Sequence, residues 1–189
     1  MALAAIVALT ATLAAGCGSS HRGSAGSQGR SIPARAAGAP AGAAVVTTPT
    51  FRTVLPAGWR SDLAGARARG YALLAATAGP RYDGVGTQIV VSRVRARWLR
   101  AGGLRRTLRA GIRRNRAKIA AGPRSVTVAG APAVAADTMR EDGGRRLAVR
   151  TVDILHGGWL YIVTAVAADG HQAGGVHALA LELARWRWR

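Results

Sequence analysis

Cys17, Asp153, His156, Tyr161, His171 and His177 are the side chains whose types and spacing bear on chemistry in this sequence. Asp153 and His156 lie three positions apart at the end of an apolar run, and could approach as a carboxylate–imidazole pair, the arrangement a general base needs. His156 also sits beside Gly157 and Gly158, so an exposed turn histidine is the plainer expectation. His171 and His177 are six positions apart, ~600° around a helix, which puts them on separate faces and argues against a shared metal. Cys17 is the only cysteine, so neither an intrachain disulfide nor a thiolate cluster can form. Its glycine- and serine-rich flank offers no base to activate a thiolate. No G-x-S-x-G elbow, phosphate loop or H-E-x-x-H motif occurs. "GVGTQI" (84–89) opens like a dinucleotide loop, but lacks the third glycine and runs into a strand pattern. The expectation is a chain with no catalytic residues, no bound metal and no cofactor. The alternative is a small hydrolase or ligand carrier, with a cleft beside a sheet lined by Asp153, His156 or Tyr161.

The basic residues come closer to a function. Lys and Arg number 27, only one of them lysine, against 8 Asp and Glu, for a formal net charge of +19. Such an imbalance favours anionic partners. The segment "RWLRAGGLRRTLRAGIRRNRAK" (97–118) contains no acid. Residues 97–120 are expected as a long helix, with Ala101, Leu104, Leu108, Ile112 and Ile119 on one apolar stripe. Two readings stay open: a solvated face in an arginine-biased sequence, or a docking face for anionic lipid, acidic polymer or an acidic protein. On the second, Arg97, Arg105, Arg106, Arg109, Arg113, Arg114, Arg116 and Lys118 are the contacts. Nucleic acid is not expected, because no aromatic stacking platform is interleaved with the charges.

Ala2–Ala15 form an uncharged apolar run of ~14 residues, too short to span a bilayer and suited to a signal peptide. Leu13-Ala14-Ala15-Gly16-Cys17 resembles the lipobox of bacterial lipoproteins. That resemblance implies that Cys17 becomes the first mature residue and carries acyl chains, so the partner would be the cell membrane, reached through a lipid anchor on its extracytoplasmic face. A secretory signal cleaved nearby is the competing reading. Gly18 to about Ala44 show no periodicity and are rich in Gly, Ser, Ala, Pro and Arg, a linker whose reach is on the order of 30 Å. The expected organisation is a signal segment at 1–17, a linker at 18–45 and a folded domain at 46–189.

Within that domain strands are expected at 50–55, 70–78 and 86–96, a hairpin at 124–139 turning at Gly130, and two strands within 145–167 joined at His156-Gly157-Gly158. A closing helix is expected from His171 to Trp186, with Asp169 as N-cap and Val176, Leu179 and Leu183 on its core face. Trp59, Trp98, Trp159 and Trp186 are the expected core anchors. "RWRWR" (185–189) invites an interfacial reading, since Trp and Arg together favour head groups. Strands, helix, strands, helix describe an α+β protein with an antiparallel sheet. The order and spacing of "FRTVLPAGW", the long helix, "VTVAGAPAV", "GWLYIVTAVA" and "LARWRW" resemble the PsbP-like lipoproteins of actinobacteria across residues 50–188. The resemblance implies an α-β-α sandwich around a twisted antiparallel sheet of six or seven strands, a core-closing terminal tryptophan, and a non-enzymatic binding or accessory role.

Overall fold

The computed structural model describes residues 44–68 and 73–189. Cys17, the apolar leader and the linker up to residue 43 lie outside the described residues. The elements in chain order are β1 (Val45–Thr47), β2 (Phe51–Val54), β3 (Arg60–Ser61), α1 (Leu63–Ala68), β4 (Ala75–Tyr82), β5 (Val85–Arg95), α2 (Leu104–Arg114), β6 (Lys118–Val128), β7 (Ala131–Asp142), β8 (Arg145–His156), β9 (Trp159–Ala168), α3 (Gln172–Ala184) and β10 (Arg187–Trp188). Seven strands form one antiparallel sheet in the order β3-β4-β5-β9-β8-β7-β6, and β1-β2-β10 form a small second sheet. The fold is α+β, as the order of sequence patterns indicates.

Long strands joined by two-residue turns produce this register. Asp83-Gly84, Ala129-Gly130, Gly143-Gly144 and Gly157-Gly158 all have positive φ at both positions, the backbone that matches the right-handed twist of a hairpin. Side chains alternate along each strand, so one sheet has two apolar faces to cover. On one face Ala75, Ile89, Val91, Ala133, Ala135, Val152, Ile154, Tyr161, Val163 and Ala165 meet α3 and the small sheet, through Ala178, Leu179, Phe51, Val46 and Trp186. On the other, Val134, Ala136 and Leu160 lie under Leu104, Leu108 and Ile112 of α2, and Ala76 and Val90 lie under Ala66 of α1. Small strand residues let the covering elements come close. A Cβ added at Gly175 of α3 would meet the Thr87 methyl at 3.2 Å.

Three sequence expectations are corrected here. The basic helix is 11 residues long instead of spanning 97–120. Ala101–Gly103 form a 3₁₀ turn, and Lys118 and Ile119 belong to edge strand β6, where Ile119 is 47% exposed instead of part of an apolar stripe. The chain can continue past Arg114 only as a turn, because Arg116 takes a positive φ of 52° and leaves the helix. Asp169 does not cap α3. It pairs with Arg146, and His171 occupies the N-cap without a side-chain bond. Trp98 is not a core anchor: it is 74% exposed. Trp59 and Trp159 are half-buried against the core, and α1, β3 and β10 were not foreseen.

Trp186 carries the closure of the fold. It is fully buried and stacks on Phe51 at 3.8 Å between centroids and 15° between planes. That contact holds β10 against β2 and seals one end of the α3 face. Trp186→Ala should therefore lose about 3–5 kcal/mol in urea unfolding, whereas Trp98→Ala should stay within about 0.5 kcal/mol. Equal losses at the two positions would contradict the burial assigned to each.

Candidate anionic-surface interface

The apolar stripe of α2 is spent on the sheet, which leaves its remaining surface to arginine. Leu104, Leu108 and Ile112 are buried, while Arg105, Arg106, Arg109, Arg113 and Arg114 are exposed. Among the described residues none of these five guanidiniums meets a carboxylate; Arg105 Nη2 donates to Ser125 Oγ at 3.3 Å. Arg113 and Arg114 sit in the last turn, where they complement the helix dipole. Arg105 and Arg106 sit in the first turn, where the dipole is already positive and no acid offsets it. The first turn of α2 therefore combines two guanidiniums with the positive end of the dipole.

Two more arginines sit at the sheet end from which the chain enters α2, but on the α3 face of the sheet, opposite the face that α2 covers. Arg93 and Arg95 project from β5 over the Trp159 ring, with guanidinium carbons 4.4 and 5.4 Å from its centroid. Arg97, Trp98 and Arg100 follow in the exposed turn that leads into α2. His156 stacks on Trp188 at 3.9 Å, and Trp188 tilts against Tyr161 at 5.0 Å. Of the residues expected to contact an anionic surface, Arg97, Arg105, Arg106, Arg109, Arg113, Arg114, Arg116 and Lys118 are all exposed. Arg97 lies in the turn before the helix, and Arg116 and Lys118 lie beyond its end. Sequence reasoning missed Arg93 and Arg95. Their signal was the alternation of "RVR" on a strand running toward Trp98 and pairing with Trp159.

The acids are elsewhere. Asp137 accepts a bidentate hydrogen bond from Arg150, with Nη2 to Oδ2 at 2.7 Å, and also faces Arg124 at 3.5 Å. Asp142 pairs with Arg140, Asp169 with Arg146, and Asp83 with His171, whose ring stacks on Tyr82. The β4–β5 and β7–β8 turns and the end of β9 share one end of the sheet, so Asp83, Glu141, Asp142 and Asp169 gather opposite Arg93, Arg95 and Arg97.

Two acids are inside. Asp153 lies on the α2 face of β8, between Val134 and Ile162 on the flanking strands. Burial pushes its carboxyl up to about 7, and among the described residues nothing donates a hydrogen bond to it. Glu182 of α3 lies under the opposite layer. Burial pushes it up to about 8, opposed by the Thr77 hydroxyl 3.4 Å from Oε1. Strand alternation puts Asp153 on the opposite face of the sheet from Ile154, His156 and Tyr161, so the cleft that would join Asp153 to His156 does not form.

No protein-family model matches the chain, and no curated protein matches it in sequence. Solved structures do match in shape. LpqN, described as involved in cell envelope biogenesis of Mycobacterium tuberculosis, superposes with a TM-score of 0.56 at 15% identity, covering 77% of this chain and 90% of that one. The cyanobacterial PsbP protein CyanoP from Synechocystis sp. PCC 6803 superposes with a TM-score of 0.50 at 9% identity, covering 82% and 98%. At these identities the likeness is one of fold, and the fold is PsbP-like.

The buried acids set a pH dependence. Each is protonated in the fold far above the pH at which it ionises in the unfolded chain, so the folded state holds more protons between about pH 4 and 8. Stability should fall as pH rises through that window and level off above about 8. Asp153→Asn and Glu182→Gln should each flatten the curve and add about 1–3 kcal/mol at pH 8. Urea midpoints at pH 5 and pH 8.5 measure this, and a midpoint that rises with pH in both variants and parent would refute it.

Proposed function

We propose that this chain is a lipid-anchored, non-enzymatic accessory module of an actinobacterial-type cell envelope. In this reading an acylated Cys17 holds it on the outer face of the cytoplasmic membrane, and the α2 face meets anionic material. The observation that carries the reading is the unpaired cationic surface of α2, whose apolar residues are all committed to the core. Two further features support it. The lipobox-like "LAAGC" precedes a linker of suitable reach, and LpqN, which shares the fold, is described as involved in envelope biogenesis. No helix among the described residues is long and apolar enough to cross a membrane, so attachment in this reading depends on the acyl chains. More than one chain is needed for stable anchoring, which a multiply acylated cysteine supplies.

Anchor and docking are tested separately. In cell fractions the parent chain should sediment with membranes in an acylated form, and Cys17→Ala should move to the soluble or secreted fraction. A Cys17→Ala chain that remains fully membrane-bound removes the anchor from the reading. For docking, the Cys17→Ala chain should bind anionic vesicles with an affinity that falls steeply with salt. Replacing Arg105, Arg106, Arg109 and Arg113 with Gln should weaken binding on the order of 10²- to 10³-fold at low salt, given ~1 kcal/mol per basic residue at a charged surface. Salt-independent binding, unchanged by the four substitutions, would count against docking.

A further inference from the structure

We propose that the turn before α2 is a membrane-interface anchor, in which Trp98 enters the head-group region of an anionic phospholipid bilayer while the surrounding arginines bind lipid phosphates. This rests on the docking reading above and commits it to one surface. Trp98 is 74% exposed, far more than any other tryptophan in the domain, and among the described residues its ring stacks on no other. Its neighbours in sequence are cations: Arg97 and Arg100 flank it, and Arg105 and Arg106 lie in the first turn of α2. Among the described residues none of these four meets a carboxylate. A hydrated polyanion satisfies such arginines but gives an indole no apolar medium. A bilayer interface satisfies both, since Trp partitions to the head-group level and cations to the phosphates.

The turn is built to enter that layer. Its exposed residues are Arg97, Trp98, Arg100, Ala101 and Gly102, so the indole stands between two guanidiniums. Several of its backbone carbonyls are bonded: Arg100 Nη1 donates to Arg97 O at 2.8 Å and to Leu99 O at 3.3 Å, Leu99 N–H donates to Ala96 O, and Gly103 N–H donates to Arg100 O. Each bonded carbonyl is one group fewer to strip of water when irregular chain enters an interface. Ala96, Leu99 and Leu104 are buried in the α2 core layer, so the turn is held on both sides of Trp98 and the indole projects from a fixed base.

The test uses the full chain with Cys17→Ala and vesicles of phosphatidylglycerol and phosphatidylcholine carrying brominated acyl chains, with phosphatidylcholine alone as the reference for binding by the N-terminal apolar run. All five tryptophans lie between residues 59 and 188, so that run adds no fluorescence. Bromine at shallow acyl positions should quench the emission on anionic vesicles, Trp98→Phe should abolish that quenching, and Trp98→Ala should weaken anionic-vesicle binding about tenfold without changing the urea midpoint. Salt-sensitive binding with no quenching, and with Trp98→Ala equal to its parent, overturns the anchor but leaves arginine docking standing. Binding indifferent to Trp98→Ala and to the four Arg→Gln changes overturns both. If Trp98→Ala weakens association with soluble polyglutamate as much as with vesicles, the surface belongs to an acidic polymer or protein, and the lipid assignment falls.

Discussion

A seven-stranded antiparallel sheet faced with alanine and valine is stable only if both of its faces are kept from water, and that requirement organises this protein. Three short helices and a three-stranded sheet do the covering. Because the strand side chains are small, burial has to come from close approach and from a few large groups: Trp186 on Phe51 over one face, Leu104, Leu108 and Ile112 over the other. Each covering element spends its apolar residues inward. What remains free for contact with other molecules is the outer surface of the helices and the turns at the two ends of the sheet. On α2 that outer surface is almost entirely arginine.

Charge is sorted by the same architecture. The acids that reach solvent are mostly matched: Asp137 by Arg150 and Arg124, Asp142 by Arg140, Asp169 by Arg146, Asp83 by His171. Asp153 and Glu182 are buried, and desolvation raises both toward or past neutrality, so they offset less of the positive charge at pH 7 than their formal count implies. The arginines keep their charge at any physiological pH. The basic surface is therefore constant across the range in which the buried carboxyls titrate, and proton concentration acts on the stability of the domain before it acts on its surface.

The legible part of the fold was the part set by local chemistry. "VAGAPAV" and "HGGW" announced their hairpins because two-residue turns demand positive φ. Leu104, Leu108 and Ile112 announced α2 because a period of 3.6 leaves a readable stripe. The end of that helix was misplaced because Ile119 continues the stripe by chance, while β6 is defined by pairing with β7, a long-range contact invisible in the local pattern. Trp98 was placed in the core on residue type alone. Burial is decided by which side of the β5–α2 turn faces the sheet, and Leu99, not Trp98, takes the inward position. The arginines expected as contacts are exposed although the helix is shorter, because the chain at both of its ends is as open to solvent as its outer face. Asp153 and His156 were close in sequence but divided by strand alternation, a period-2 consequence that was readable once the segment was assigned as a strand.

The placement of Trp98 relative to the arginines also fixes how the domain would approach an anionic surface. Leu99 and Leu104 bracket the turn and belong to one buried layer, so the indole and the first turn of α2 cannot move independently. The sheet end beside them carries Arg93, Arg95 and Arg97, whereas the opposite end carries Asp83, Glu141, Asp142 and Asp169. Arg140 and Arg146 pair with Asp142 and Asp169, and Arg81 and Arg145 lie at the same turns, so the acid-bearing end is neutralised and a negative surface does not repel it. The indole of Trp98, 74% exposed between two arginines, is the apolar group that this turn offers to such a surface.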